Sequence, residues 1–145
     1  MIWFTLTLRL IGDLAYIATL TRAYPDVPFV TRHDDGQNGG VVVLRLVFGR
    51  ILHGDDEASR AAARDAWNQW STAVARLHQV TPVLTTRDRG RCNADLSLNT
   101  GRTDSQSNFF YRVPEDVISA AGAAGLALGI AYYVTGPDVD VDQYD

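Results

Sequence analysis

At 145 residues, 46% of them apolar and 21% charged, the chain is long enough for one core and too short for two of ordinary size, and its composition excludes wholesale disorder. Its 13 basic residues are all arginine, a bias expected of coding from a GC-rich bacterial or phage genome, and the net charge of −4 speaks against nucleic-acid binding, which needs a positive field at the phosphates. The one cysteine, Cys92, excludes a disulfide within the chain and a cysteine-based zinc site.

Ile2, Phe4, Leu6, Leu8 and Leu10 alternate with Trp3, Thr5, Thr7 and Arg9, which predicts a half-buried strand with the second set on its polar face. Gly12 is expected to break that strand, and Asp13 to N-cap a short helix with its stripe at Leu14, Ile17, Ala18 and Thr21. An extended piece around Phe29 to Arg32, a turn at Asp34, Asp35 and Gly36, and a β-branched strand over 41–48 follow. Asp55, Asp56 and Glu57 open the longest helix, on which Trp67, Trp70, Val74 and Leu77 share one face and which Pro82 is expected to close.

A short strand over 83–86 comes next, then a clearer one carrying Ala94, Leu96 and Leu98, a polar loop over 101–108 and an extended piece over 109–112. Pro114 starts a third helix, Gly125 ends it, and Leu126, Leu128, Ile130, Tyr132 and Val134 alternate in a last strand. The order β-α-β-β-α-β-β-α-β predicts an α+β fold with a mixed, mainly antiparallel sheet and helices on one face, ferredoxin-like in type. One domain over residues 1–136 and an acidic tail over 137–145 are expected. The uncharged run from Val117 to Pro137 is long enough to span a bilayer, but its Ala and Gly content and its change of period at Gly125 identify a helix followed by a strand. No signal peptide is legible in residues 1–12, so a cytoplasmic protein is expected.

No motif in the chain carries catalysis outright. His33, Asp34 and Asp35, and His53 with Asp55, Asp56 and Glu57, place imidazoles beside carboxylates; if the two loops meet, His33, Asp35, His53 and Asp55 form the ligand set of a small metal-dependent hydrolase. The competing reading makes Asp34 and Asp35 a turn and Asp55 to Glu57 a helix cap, with no metal and no cofactor. Arg87, Arg89 and Arg91, with Arg102 beyond, offer a basic loop to an anion, against a solvated loop with internal pairing to Asp88. Cys92 has neither a helix N-terminus nor a histidine beside it and is expected to be inert. Trp70 is expected in the core, while Trp3, on the polar side of the first strand, is the candidate exposed aromatic contact. Residues 113–145 hold six acids and no arginine, and Asp138, Asp140, Asp142 and Tyr144 form an acidic arm suited to a basic cleft. With Trp3, Asp34 and Asp35, that arm is the expected partner-binding surface.

Phe4 to Leu14, a strand running through Gly12 and Asp13 into a helix, resembles the start of a bacterial domain family of unknown function. Val113 to Tyr133, a Pro-started helix joined through Gly125 to a strand bearing Tyr132 and Tyr133, resembles that family's end. Members of that kind, like other small acidic α+β proteins, occur as immunity proteins of polymorphic toxin systems. The resemblance implies a non-enzymatic protein that neutralises a basic cognate toxin by covering its active site, without nucleic acid or membrane. A phage-encoded inhibitor of a host defence protein is the related alternative.

Overall fold

The computed structural model describes residues 2–51, 56–102 and 112–134. In chain order the elements are β1 (Ile2–Asp13), α1 (Leu14–Thr21), β2 (Val30–Asp34), β3 (Gly39–Ile51), α2 (Glu57–Thr86), β4 (Cys92–Arg102), α3 (Glu115–Ala123) and β5 (Ala127–Val134). They form one five-stranded sheet in the order β2-β3-β1-β4-β5, antiparallel throughout except for the parallel pair β4-β5. The α+β class and the mainly antiparallel sheet are those expected from the sequence. Beyond the β1-α1-β2-β3-α2-β4 succession, α3 and β5 add a parallel pair at one edge of the sheet.

The alternation in β1 sets the layers. Phe4, Leu6, Leu8 and Leu10 join Leu44 and Val47 of β3 and Leu96 and Leu98 of β4 in one apolar cluster. Ile17 of α1, Trp70, Ala73, Leu77, Val80 and Leu84 of α2, and Val117, Ala120 and Ala121 of α3 close over it, so the helices share one face of the sheet. In β3 the pairing jumps from Val47 to Arg45 opposite Leu6 and Thr7, and this bulge at Leu46 lets Leu46 and Val47 both enter the core.

Three sequence expectations are corrected. Gly12 does not end β1; its φ of 147° is a conformation glycine tolerates, and the strand continues to Asp13. Pro82 lies inside α2, and residues 83–86 are helical rather than a strand. That last turn holds because Leu84 is buried and because Arg87, just past the helix, turns its guanidinium back to donate to the Leu84 carbonyl and, at 3.2 Å, to that of Cys92. The third concerns the face of α2. Its buried stripe is Ala66, Trp70, Ala73, Leu77, Val80 and Leu84, alternating steps of four and three; Trp70 and Leu77 lie on it as expected, Val74 packs partly buried at its edge, and Trp67 is exposed. Of the extended piece expected over 109–112, only Arg112 falls among the described residues.

The caps are those the sequence implies. The Asp13 carboxylate accepts from the N–H groups of Ala15 and Tyr16 at 3.0 and 3.2 Å, and Asp56 accepts from Ser59 at 2.8 Å. Gly125, at φ 68°, completes a Schellman ending of α3: its N–H donates to the Gly122 carbonyl at 3.0 Å, and Leu126 N–H donates to that of Ala121 at 2.9 Å.

The Tyr16 N–H, and then the Arg91 guanidinium 3.2 Å away, hold the Asp13 carboxyl below its ordinary range. A carboxylate lowered on folding stabilises the fold above its ordinary pKa, and that contribution is lost as pH falls through the lowered folded value. Asp13→Asn keeps a cap oxygen but cannot titrate. Its melting temperature is therefore expected to lie below that of the wild type at neutral pH, with the gap closing as the solution is acidified. Thermal melts across the acid range check this; a gap independent of pH would remove the Asp13 charge as its cause.

Candidate partner-binding surface

Trp70 is 7% exposed and stacks on Phe4, ring centroids 5.6 Å apart and planes 5° from parallel. Gly49 lies opposite Phe4 on β3, and a Cβ there would stand 2.2 Å from the Phe4 ring, so the stack needs that glycine. Trp67, three residues before Trp70, is 68% exposed. The physical reason is the alanine pair in the stripe: Ala66 and Ala73 face the sheet, and an indole one position on from Ala66 is turned about 100° away from it.

Trp67 stands over a groove of about 800 Å³ between α2 and the start of α3. Among the described residues its walls are Phe4, Ala63, Ala66 and Trp70 on one side, and Arg112, Val113, Pro114, Glu115 and Asp116 on the other. A smaller pocket of about 210 Å³ continues it past Ser71 and Val74. Mostly apolar walls with a few charged groups at the rim are what ligand and anchor sites commonly have. Here the rim carries two carboxylates in the first turn of α3, where the dipole favours negative charge, and the Arg112 guanidinium.

The residues singled out from the sequence fall elsewhere. Trp3 is not an exposed contact; it is fully buried. β1 is the central strand, so its polar-side residues have neighbours on both flanks, and Gly101 opposite Trp3 leaves room for the indole, which stacks on Tyr133 at 6.1 Å. Asp34 accepts from the Gly36 N–H at 2.8 Å, and Asp35 from Gln37 and Gly39 at 2.7 and 3.0 Å, so both carboxylates shape the β2-β3 turn while staying exposed. Asp138, Asp140, Asp142 and Tyr144 of the acidic arm lie outside the described residues, as do His53 and Asp55. Among the described residues no group of three histidine, cysteine or acidic side chains is placed to hold a metal ion.

The arginine loop is internally tied. Arg91 packs on the Tyr16 ring at 4.5 Å and reaches Asp13, the Asp88 N–H donates to the Tyr16 hydroxyl at 2.8 Å, and Asp88 accepts from Gly90 N–H at 2.9 Å. Cys92 is buried, and that burial pushes its thiol pKa up, away from a reactive thiolate. No described helix is long and apolar enough to cross a membrane, and Val117 to Val134 is the helix and strand the sequence implied.

The groove was not found from the sequence. Its signal was available in the spacing of Ala66, Ala73 and Val80, which puts Trp67 beside the buried stripe rather than on it. Compared with protein-family models, curated proteins and solved structures, the chain gives no match.

Proposed function

We propose that this protein acts by recognition rather than catalysis, and that the groove under Trp67 is its principal contact surface. The carrying observation is an indole 68% exposed at the mouth of an apolar groove whose other rim bears Glu115 and Asp116. Tryptophans in such settings are typical binding anchors. A ring face near carboxylates suits an arginine or lysine side chain, which gains from both the ring and the acids. The partner is therefore a protein presenting basic side chains around an apolar anchor. More specifically, we infer an immunity protein that neutralises a basic bacterial toxin; the charge of −4 supports this narrower reading, as does the resemblance of residues 4–14 and 113–133 to a bacterial domain family of unknown function whose kind occurs among immunity proteins.

The test is a growth assay in cells expressing, as the candidate toxin, the product of the gene adjacent to this chain's own, with and without the chain. Protection is expected, and Trp67→Ala is expected to weaken binding of that toxin by about 2 kcal/mol or more, roughly thirty-fold in Kd. Absence of protection by the wild type overturns the immunity reading. Full affinity in the Trp67→Ala protein overturns the assignment of the surface.

A further inference from the structure

The turn between β2 and β3 contains the sequence Asn38-Gly39, which occurs nowhere else in the chain. The dipeptide suits a tight β turn because both residues tolerate a positive φ. Asn38, at φ 73°, is the one residue other than glycine in that region among the described residues. The same dipeptide is chemically labile, since no side chain shields the glycine nitrogen from the asparagine beside it. That nitrogen can attack Cγ of the asparagine: the N–Cγ bond forms, the Cγ–Nδ2 bond breaks, and the amide proton departs with Nδ2 as ammonia. Water then opens the resulting cyclic imide at either carbonyl. One opening gives aspartate, and the other gives isoaspartate, whose main chain is longer by one carbon.

The fold ties both ends of the peptide unit that would have to turn for this attack. The Gly39 N–H donates to Asp35 Oδ1 at 3.0 Å, and the Asn38 carbonyl accepts from the Leu14 N–H at 2.7 Å. Asp35 is itself fixed: its own N–H donates to the Gly39 carbonyl at 2.9 Å, and Oδ1 also takes the Gln37 N–H at 2.7 Å. A Cβ on Gly39 would stand 2.4 Å from Asp35 Oδ2, so the carboxylate occupies the space that the glycine leaves. The missing side chain that makes the nitrogen reactive is therefore also what lets the carboxylate reach it. An N–H donating to an anion makes one of the stronger hydrogen bonds, and its nitrogen is a poorer nucleophile while the bond lasts. Asn38 is exposed, so water has access to the imide once it forms.

We propose that Asn38 is a guarded modification site: it deamidates when Asp35 releases the Gly39 nitrogen, and the isoaspartate so formed unties α1 from the β2-β3 turn. The tie is the bond from Leu14 N–H, a donor in the first turn of α1 with no partner inside the helix, to the Asn38 carbonyl. An added main-chain carbon displaces that carbonyl. The new carboxylate also stands in the same turn as Asp34 and Asp35, and like charges there work against its closure. Water is the only co-reactant required.

Mass spectrometry of the tryptic peptide from His33 to Arg45 follows the reaction in the full chain over time. Exchange of amide for acid changes its mass, and electron-transfer fragmentation separates aspartate from isoaspartate. Slow conversion is expected in the folded wild type and fast conversion in guanidinium chloride. Asp35→Ala is expected to convert about tenfold faster than the wild type or more, with its circular dichroism spectrum unchanged, since it loses a hydrogen bond to a charged group. Asp35→Ser, which keeps a neutral acceptor, is expected to fall between the two. Asp34→Ala is expected to convert at the wild-type rate, because the Asp34 carboxylate accepts from Gly36 N–H at 2.8 Å instead. The purified isoaspartyl form is expected to melt below Asn38→Asp, which carries the charge without the added carbon. A folded wild type that converts as fast as the unfolded chain overturns the proposal, as does Asp35→Ala at the wild-type rate or Asp34→Ala at the rate of Asp35→Ala. Equal melting of the isoaspartyl form and Asn38→Asp overturns the untying of α1.

Discussion

Replacing Trp70 with alanine is expected to destabilise the fold by about 3–5 kcal/mol, whereas the same change at Trp67 leaves stability within about 0.5 kcal/mol of the wild type. The two indoles are three residues apart on one helix and differ in everything that sets this cost. Trp70 fills the space between α2 and β1, face to face with Phe4, and no neighbour is placed to refill it: Gly49 has no side chain, and Ala66 and Ala73 are too small. Truncation therefore removes the transfer free energy of a buried indole and leaves a void against the Phe4 ring. Because Trp70 also lines the groove, its loss should impair partner binding together with the fold, and Trp67→Ala should weaken binding alone. Urea unfolding monitored by circular dichroism separates the cases. A stable Trp70→Ala protein would show that the helix layer closes on the sheet without that stack.

The second large effect is expected at Gly12. Alanine there must adopt a φ of 147°, and its Cβ would stand 2.2 Å from the Arg91 carbonyl oxygen, a backbone atom held in place by the Asp13 N–H at 2.9 Å. Backbone strain and overpacking each cost about 1–3 kcal/mol, and no flexible side chain is available to yield. A loss of about 3 kcal/mol or more is expected for Gly12→Ala. Gly122→Ala is the matched control. Gly122 lies within α3 with open space around it, and the substitution should be neutral or stabilising by up to about 1 kcal/mol. Equal denaturation midpoints for the two variants would contradict the account of Gly12.

What the sequence made legible was local. The period of β1, the Asp13 and Asp56 caps and the Gly125 ending each follow from a few neighbouring residues, and the structure has all of them. Misreadings arose where small residues carry the packing. Ala66 and Ala73 are weak signals in a hydrophobic pattern beside the more conspicuous Trp67, although it is the two alanines that face the sheet. Trp3 stands among threonines, which in an edge strand would mean solvent. Strand order decided otherwise, because the indole rests over Gly101, a residue 98 positions away that no local pattern connects to it. The groove is hidden for the same reason: Trp67 and Glu115 come to line one groove only once α3 is laid beside α2.

The place of β1 at the centre of the sheet has a bearing on how the molecule is made. The strand is synthesised before either of its flanking partners, yet one of them is β4, and the bond from the Thr100 hydroxyl to the Trp3 carbonyl bridges 97 positions of chain. Until most of the polypeptide has emerged, the apolar side of Ile2 to Leu10 has β3 on one flank and nothing on the other. Assembly of the sheet is thus a late event governed by long-range closure, slow by topology rather than by any single residue. Meanwhile nascent β1 carries an uncovered strand edge, the state in which a polypeptide is most exposed to capture by other chains.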